Sequence, residues 1–462
     1  MDAASTTGTI AERLGAWAAA LSLEQVPTDA AHAARRCILD TVGVIIAGSR
    51  TPTGERVQAH MDANYADGAC TVLGPGTTAS PAGAALANGV AGHVLDFDDT
   101  SYAGIIHGSC IVLPAVLAAV EQGRRDGRTF LEAFTAGAEA AYAVGLTVTD
   151  SHYFKGWWAT GTCGMVGAAA GAARALGLDA AQTTHAIGLA AVQACGMVAF
   201  LGTDAKPFMA GRCAMIGLEA ALLAEHGLTA PANAFEDRRG FLQLLNDGGS
   251  DEAGLGELGE SWRLVTPGIF FKRYPICSAA HAGAEMTERL VGEAGLTVDD
   301  ITQVVCEVPH LVAISLVHDD PSRPTEAQFS MPFAIGAVLA FGTLGPEHLN
   351  GDCLQDASLR AAMGKVVMRA ADDLDTPEMK SRYPESARVT IKTTDGRELS
   401  GFLGAPTGMP ENPATDGALG DKFRRCLSFA GWPDARADAL QAALWEIENA
   451  PDVSALLRED RS

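Results

Sequence analysis

The densest group of polar side chains lies between residues 93 and 107. His93 is followed by Asp96, Asp98 and Asp99, and His107 completes the group, so three aspartates and two histidines fall within fifteen residues. Imidazoles and carboxylates are the side chains that most often move protons in enzymes. The pattern therefore indicates acid–base chemistry. Two alternatives stay open: a solvated turn at a helix end around one structural histidine, and a magnesium site, because closely spaced aspartates can ligate that ion.

These side chains follow a segment that predicts a helix, and helical spacing decides which of them share a face. On a continuous helix, Asp96 and Thr100 are one turn apart, as are His93 and Phe97. The first 265 residues predict one helix after another, because alanine-rich segments repeat apolar residues every three or four positions. These segments are 10–21, 30–46, 82–94, 113–121, 130–146, 161–176, 181–194 and 209–225.

The character of the chain changes near Pro267. Strands are predicted over 303–308 and 388–392, and the turn sequence at 394–397 predicts a hairpin that joins 389–393 to 398–402. Further helices are predicted over 279–291, 332–341, 358–369 and 421–457.

This order of elements predicts a mainly α fold. We expect a large all-helical domain formed by both chain ends, residues 1–266 and 406–462, with a smaller α/β lid domain, residues 267–405, inserted between them. Two domains suit a chain of 462 residues. A cleft between two such domains is a usual place for a small-molecule site.

The balance of charge excludes some classes of partner. The chain has 33 Lys and Arg residues against 56 Asp and Glu residues, a formal net charge of −23. Such a surface repels nucleic-acid phosphates and anionic lipid, so we predict no nucleic-acid and no membrane partner. A small anionic carboxylate remains compatible, because a cleft can be locally basic. The longest apolar run, 187–201, is shorter than the ~20 residues that cross a bilayer, and it predicts a buried core helix.

The ten cysteines are scattered, and no two form a CxxC pair. The sequence therefore suggests neither a zinc site nor a disulfide framework. This usage fits a reducing compartment, and we predict a cytoplasmic protein. The first fourteen residues lack the charged-then-apolar pattern of a secretory signal.

The region around the aspartates resembles the signature of the MmgE/PrpD family, which includes 2-methylcitrate dehydratase, cis-aconitate decarboxylase and iminodisuccinate epimerase. The matching stretches span about residues 80–340 in the family's order and are specific as a set. They are residues 87–93, Asp96–Thr100, His107-Gly108-Ser109, Gly156-Trp157, Thr160-Gly161-Thr162, Lys206-Pro207, Ala210-Gly211, Lys272-Arg273-Tyr274-Pro275, Cys277, His281 and 328–333.

The resemblance implies a homodimer whose helical domain and smaller lid domain enclose a site that needs no cofactor and no metal. The positions that line the family's active site correspond here to Asp96, Thr100, His107 and Lys206, and those of the facing lid segment to Lys272 and His281.

The chain departs from the family at three positions. Trp158 stands where the family commonly has a histidine, and Cys277 stands where the cis-aconitate decarboxylases have a second one. Phe333 aligns near a tyrosine of those decarboxylases. These differences argue against decarboxylation of cis-aconitate. The retained Gly-Trp and Pro-x-Cys sequences are nearer to the epimerase-like branch, although that enzyme keeps the histidine.

The chemistry implied by the family places demands on the residues present. Removal of a proton beside a carboxylate forms a dianionic enediolate, so positive charge and hydrogen-bond donors must already be in place. Lys206, Lys272 and Arg273 are candidates for that charge, and an arginine also binds a carboxylate bidentately. Thr100 is the candidate hydrogen-bond donor.

The proton needs a base near neutral pH, for which His107 and Asp96 are candidates in a dry pocket. An acid must then protonate a leaving hydroxyl or the opposite face of the carbon, and His281 and Cys277 are candidates for it. Two further residues, His93 and Trp158, complete the predicted substrate-binding set.

The sequence therefore favours a cofactor-independent, dehydratase-like lyase that acts on a small di- or tricarboxylic acid. One alternative is an epimerase or isomerase of the iminodisuccinate epimerase type. Another is a weakened relative that binds a carboxylate without turning it over, for which Trp158 is the best support. We expect replacement of Lys206 by Ala to lower turnover about tenfold or more and to leave thermal stability nearly unchanged.

Overall fold

The computed structural model describes residues 8–148 and 150–458, and within them the chain is mainly helical, as predicted. The helices up to residue 256 are α1 (Ile10–Ala20), α2 (Thr28–Gly48), α3 (Pro52–Asn64), α4 (Pro81–His93), α5 (Ser109–Gly123), α6 (Gly127–Thr147), α7 (Asp150–Phe154), α8 (Ala159–Thr162), α9 (Gly164–Leu176), α10 (Ala180–Ala191), α11 (Ala205–Glu225), α12 (Phe241–Leu245) and α13 (Ala253–Gly256). Between α3 and α4 lies a short antiparallel ribbon, β1 (Cys70–Val72) and β2 (Thr77–Ala79).

The second part of the chain mixes helices with a four-stranded sheet. Its helices are α14 (His281–Ala294), α15 (His310–Ser315), α16 (Pro324–Ala327), α17 (Met331–Phe341), α18 (Gly351–Leu354), α19 (Ala357–Met363), α20 (Pro377–Arg382), α21 (Asp416–Phe429), α22 (Asp434–Trp445) and α23 (Val453–Leu457). Its strands are β3 (Ile301–Val308), β4 (Val366–Ala370), β5 (Ala387–Thr393) and β6 (Glu398–Leu403), in the order β4-β3-β5-β6. β4 runs parallel to β3, and the other pairs are antiparallel.

The hairpin predicted around residues 394–397 is confirmed as the turn between β5 and β6. The helix predicted over 358–369 is wrong in its second half. α19 ends at Met363, and Val366 begins β4 opposite Val304 of β3. The β-branched start of this segment suits a pleated strand better than a helix.

Buried apolar residues form two clusters. One is built from residues 10–271 and 419–457, and the other from residues 274–403. This grouping favours the division predicted near residues 267 and 405, because each side of it buries its own apolar side chains. The assignment of two domains stays a prediction. For brevity, the first cluster is called the helical lobe and the second the sheet lobe.

Glycines let the helices at the centre of the helical lobe approach closely. A Cβ atom on Gly89 of α4 would lie 2.7 Å from the Cα of Gly211 in α11, and one on Gly211 would lie 2.6 Å from Val90 Cγ2. Any larger residue would therefore push the two backbones apart. This contact matters for function because α4 ends at His93 and α11 begins beside Lys206.

The prediction of one buried core helix over 187–201 is wrong. α10 ends at Ala191, and the chain then turns, leaving Val192 and Met197 exposed. A different helix, α11, is long and apolar enough to span a membrane by length and composition. Two thirds of its most apolar window is buried inside the protein, which is what a core helix of a soluble globular protein shows. The cytoplasmic location stays a prediction.

Candidate active site

The predicted acid–base residues lie where α4 ends. The helix stops at His93, and Asp96 takes a left-handed backbone conformation with φ of 47°. Asp96 and Thr100 therefore do not lie one helical turn apart, contrary to the spacing expected on a continuous helix. Left-handed backbone is uncommon outside glycine, although aspartate is among the residues that tolerate it best. The turn aims the Asp96 carboxylate towards α11 and the segment after Phe271.

Two buried ammonium groups hold the Asp96 carboxylate. Lys206 Nζ lies 2.6 Å from Asp96 Oδ1, and Lys272 Nζ lies 3.2 Å from the same oxygen. Lys272 Nζ also donates to the Asp96 backbone carbonyl at 2.9 Å. Burial alone would raise the pKa of Asp96, but the two lysines outweigh it and hold that pKa well below its usual range. Asp96 is thus a carboxylate at any working pH.

Asp98 lies between the two histidines. His93 Nδ1 is 2.8 Å from Asp98 Oδ2 and hydrogen-bonds with it. His107 Nδ1 is 3.2 Å from the same oxygen, within ion-pair distance but not aligned as a hydrogen bond. Burial lowers the pKa of His93 to about 4 and also lowers that of His107, in both cases against the opposing pull of Asp98. Both rings are therefore neutral near pH 7.

His107 is the more accessible of the two histidines. Its side chain keeps 12% of its exposure, whereas that of His93 is fully buried. Its backbone N–H donates to Thr160 Oγ1 at 3.0 Å, which fixes the segment in front of α5. A neutral imidazole whose Nδ1 faces a carboxylate presents Nε2 as a proton acceptor. His107 therefore has the environment of a general base.

Thr100 joins the cluster through its backbone. It exchanges two hydrogen bonds with Phe270, at 3.1 and 2.8 Å, and its hydroxyl donates to the Ile106 carbonyl at 3.3 Å. These bonds tie the aspartate segment to the chain that leads to Lys272. The predicted role of the Thr100 hydroxyl as a donor to substrate stays a prediction.

The predicted acids come from the sheet lobe. His281 is fully buried, and its Nε2 lies 3.4 Å from the Ile276 carbonyl. Burial, with Lys272 adding to it, places the pKa of His281 well below its usual range. Burial raises the pKa of Cys277 to about 12, and Asp96 adds to that effect. His281 is thus neutral and faces a carbonyl, while Cys277 holds its proton tightly.

The structure does not bring Arg273 to the cluster. Its side chain is 40% exposed, and its guanidinium pairs with Glu288 at 2.9 Å and stacks on the Tyr274 ring. The neighbouring Lys272 points inward instead, because adjacent residues in an extended segment face opposite sides. Arg273 therefore does not supply the bidentate carboxylate grip that its residue type suggested.

Trp158 forms a wall of the cluster. Its ring is 6% exposed and lies 5.5 Å from the His93 ring and 5.1 Å, edge to face, from Phe200. The exposed turn after α10 packs against it, because a Cβ on Gly196 would lie 3.2 Å from the indole. This position suits a packing residue or pocket wall, and the predicted substrate-binding role of Trp158 stays a prediction.

The magnesium alternative meets an electrostatic obstacle. Ligand atoms of His93, Asp96, Asp98 and His107 all lie within 4.8 Å of one another, a spacing that suits a metal ion. Asp96, however, already holds two ammonium groups, and a dication beside them would face two like charges within a few ångströms in a buried setting. These charges favour an acid–base cluster over a metal centre.

A cavity of about 430 Å³ lies between segments 102–267 and 380–411, and none of the predicted site residues lines it. Two of its lining residues, Ile105 and Ala159, are close in sequence to His107 and Thr160, so it borders the segments that hold the base. Its other walls include Tyr102, Tyr153, Lys380 and Arg382. A larger cavity of about 970 Å³, between α1 and α10, contains none of the predicted site residues.

Sequence reasoning missed some of the residues that build this site. Asp98 was visible in the cluster, but nothing in the sequence indicated that it would contact both histidines. Gln328 donates to the Val94 carbonyl at 2.8 Å and so links the lobes. Glu385 lies outside every matching stretch, and only the folded chain brings it to Tyr102, at 2.7 Å.

The fold and the site define a mainly helical protein with a buried acid–base and ammonium cluster between two lobes. The MmgE/PrpD N-terminal domain matches residues 12–253 of this chain, and the MmgE/PrpD C-terminal domain matches residues 274–447. The chain belongs to the MmgE/PrpD family, as its motifs predicted.

Several relatives align over nearly the whole chain. A cis-aconitate decarboxylase of Aspergillus terreus (strain NIH 2624 / FGSC A1156) is 33% identical over 472 residues, covering 96% of this chain and 94% of its own length. The cis-aconitate decarboxylase of Homo sapiens is 26% identical over 431 residues, covering 91% and 87%. The cis-aconitate decarboxylase-like protein oryM of Aspergillus oryzae is 25% identical over 475 residues, covering 97% of each chain.

Proposed function

We propose that this protein is a lyase that removes a proton next to a carboxylate of a small di- or tricarboxylic acid. The observation that carries the proposal is the buried cluster in which Asp96 holds Lys206 and Lys272 while Asp98 contacts His107. This cluster joins positive charge to a neutral base in a site with little water. The names of the relatives support the lyase class.

In this mechanism the two lysines bind the substrate carboxylate. Each ammonium group has three protons, so Lys206 and Lys272 can keep Asp96 and still donate to a second carboxylate. As the proton leaves, negative charge grows on that carboxylate, and ammonium groups already fixed by Asp96 need no reorganisation to stabilise it.

His107 takes the proton in this proposal. Its Nε2 is the acceptor, and the carboxylate of Asp98 stabilises the imidazolium that forms. His93, fully buried against the same carboxylate, has a supporting position rather than a place in the proton transfer. Asp96, paired with two lysines, is too weak a base for the task, so the base is assigned to His107.

Loss of water is the reaction we favour among the lyase reactions. The family resemblance places Trp158 where the family commonly has a histidine and Cys277 where the decarboxylases have a second one. The indole of Trp158 forms an apolar wall beside His93. Decarboxylation is the second candidate, because the names of the relatives point to it. Epimerisation needs only the first step and is distinguished by its product.

One experiment separates these outcomes. The protein is incubated in D₂O with citrate, malate, cis-aconitate and iminodisuccinate, and ¹H NMR follows C–H exchange and new products. An alkene with loss of hydroxyl supports dehydration, release of CO₂ supports decarboxylation, and exchange with inversion supports epimerisation. No exchange on any acid that demonstrably binds would reject the proposal and favour a carboxylate-binding role.

We also propose that the enzyme works as a homodimer without a metal or organic cofactor. The family resemblance suggests the dimer, and the paired charges of the cluster argue against a dication. Light scattering after size-exclusion chromatography should give twice the chain mass of 47.8 kDa. A single-chain mass at working concentration would reject the dimer.

A further inference from the structure

A buried carboxyl group lies near the cluster, outside the stretches that resemble the family. Glu385, just before β5, accepts a hydrogen bond from the Tyr102 hydroxyl at 2.7 Å and another from the Ser278 hydroxyl at 2.9 Å. Tyr102 belongs to the helical lobe, whereas Glu385 and Ser278 belong to the sheet lobe. The carboxyl is nearly inaccessible to solvent. This buried carboxyl group therefore joins hydroxyl groups of both lobes, and the arrangement suggests a role beyond packing.

This group is close enough to the cluster to share its electrostatics. Ser278 follows Cys277, one of the predicted acids. Burial raises the pKa of Glu385, and among the charges that act on it are Lys272 and Asp96. Burial and then Glu385 raise the pKa of the Tyr102 phenol well above its usual range. The phenol therefore keeps its proton, and the carboxyl is easier to protonate than an exposed glutamate.

The site lacks another suitable acid on this side. His281 is neutral, and its Nε2 faces the Ile276 carbonyl. The Cys277 thiol has a pKa of about 12, so by acidity it is no better a donor than a buried phenol. Among the described residues, no carboxyl hydrogen-bonds with this thiol to return a proton to it, whereas Glu385 hydrogen-bonds with Tyr102. Trp158 has no titratable proton in the place where the family commonly has a histidine. Loss of a hydroxyl nevertheless requires a proton donor, because hydroxide is a poor leaving group.

We propose that Tyr102 is the proton donor to the leaving hydroxyl and that Glu385 positions it and returns its proton. This inference rests on the proposed dehydration. The ring of Tyr102 lines the cavity of about 430 Å³, and its hydroxyl reaches the carboxyl beside Ser278. The phenol therefore stands between this cavity and a buried carboxyl.

The step balances as follows. His107 Nε2 removes the proton from the carbon, and the C–H electron pair moves onto the carboxylate held by the lysines as an enediolate. The enediolate pair then forms the carbon–carbon double bond as the C–O bond breaks. The departing oxygen takes the Tyr102 proton and leaves as water. Protonated Glu385 returns a proton to the phenolate, and solvent then reprotonates Glu385 and takes the proton from His107.

The test uses matched pairs of acids that differ only in the leaving hydroxyl. Malate and succinate form one pair, and citrate and propane-1,2,3-tricarboxylate form the other. In D₂O, the acids without a hydroxyl report proton removal alone, and the hydroxy acids report removal plus water loss. Tyr102→Phe should slow water loss about 100-fold or more, the lower range for a lost general acid, and leave exchange on succinate or the tricarboxylate nearly unchanged. Glu385→Gln should give the same pattern with KM unchanged.

A matched control is Tyr65→Phe. Tyr65 lies at the end of α3, outside the proposed site, and its hydroxyl lies 3.4 Å from Met215 Sδ. This variant should keep both rates. If Tyr102→Phe and Glu385→Gln slow exchange and water loss equally, the pair has a structural role and the inference is overturned. A rate of water loss equal to that of the wild-type protein in both variants would also overturn it.

The outcomes also separate this inference from the proposed function. If the wild-type protein exchanges the C–H proton of every acid that binds but removes water from none, the donor role is overturned and proton removal still stands. No exchange by the wild-type protein would remove the proposed function and this inference with it. Should Tyr102→Phe fail to fold, Glu385→Gln alone decides, because glutamine keeps the shape of the side chain and loses the titration.

Discussion

At the scale of single residues, one oxygen of Asp98 serves two imidazoles, and this sharing separates their roles. His93 hydrogen-bonds with it from a fully buried position, while His107 lies 3.2 Å away with part of its ring still accessible. Only the accessible ring can meet a substrate carbon. This geometry supports His107 rather than His93 as the base that we propose.

Removing the charge of Asp98 should disable the base. Asp98→Asn keeps the shape but withdraws the carboxylate that stabilises protonated His107, so turnover in the D₂O assay should fall about 100-fold or more. Thermal melting serves as the control for folding. Turnover within a few-fold of wild type would show that Asp98 only packs against the histidines.

The pH profile should carry the signature of His107. Burial lowers the pKa of His107 from 6.5, so the free base prevails at neutral pH. The specificity constant kcat/KM should therefore fall only when the pH drops through the lowered pKa of His107. The decrease on the acid side of the pH profile should lie below pH 6.5. An acid limb above 6.5 would assign the base to a different group.

Lys206 shows how burial changes an expectation based on sequence. In the sequence it is a lysine before a proline, so its removal was expected to leave stability nearly unchanged. The structure buries it against Asp96, and Lys206→Met leaves that carboxylate with Lys272 alone. The free energy of unfolding should drop by about 3 kcal/mol, the low end for a broken buried ion pair.

The same variant should still lose turnover about tenfold or more. Urea denaturation and NMR rates measure the two effects. Lys392→Met, at an exposed lysine on β5, is the matched control and should change neither. A Lys206→Met variant as stable as wild type would contradict the buried contact.

At the scale of elements, the relative position of α4 and α11 sets the distance from Asp96 to Lys206. Glycine faces glycine, with Gly89 against Gly211, so the backbones themselves determine the spacing.

Widening that contact should harm both stability and activity. In Gly211→Ala the new Cβ would lie 2.6 Å from Val90 Cγ2 and against backbone of α4. Overpacking of this kind costs about 1–3 kcal/mol, and the displaced helix should carry Lys206 away from Asp96 and lower turnover. Gly292→Ala on α14, with open space around it, should be neutral or slightly stabilising. Equal stability of the two variants would rule out close packing as the constraint.

The limits of prediction from sequence are also clearest at this scale. Apolar spacing predicted most helices and the β5–β6 hairpin, because both depend on neighbouring residues. It placed 187–201 in one core helix, since composition cannot show that a run of apolar residues turns after Ala191. It also gave Arg273 the role that its residue type suggested. Contacts such as Glu385 with Tyr102 depend on how distant segments meet, and a single sequence carries no local signal for them.

At the scale of the whole molecule, the positive and negative charges of the site nearly cancel. Asp96 and Asp98 are matched by Lys206 and Lys272 around two neutral histidines. The surrounding surface is strongly acidic, with a net charge of −23. At Asp96, two protein ammonium groups lie where a dication would have to approach the carboxylate.

Chelation should therefore leave activity unchanged. Incubation with EDTA, followed by desalting, should give the same turnover as untreated protein, and added Zn²⁺ or Mg²⁺ should not raise it, since two ammonium groups repel a dication at Asp96. Elemental analysis of the desalted protein confirms removal. Loss of turnover that a single metal restores would establish a metal centre at His93, Asp96, Asp98 and His107.

Lys272 reaches Asp96 from the segment that joins the helical lobe to the sheet lobe. An acid that binds meets two lysines that are already paired with Asp96, so the negative charge of Asp96 offsets part of their attraction for its carboxylate. The affinity of the site for an acid is therefore the attraction of the two lysines for it, less the part that Asp96 offsets. The Kd of the substrate is then modest even though several groups contact it. Affinity alone therefore does not identify the acid on which the protein acts.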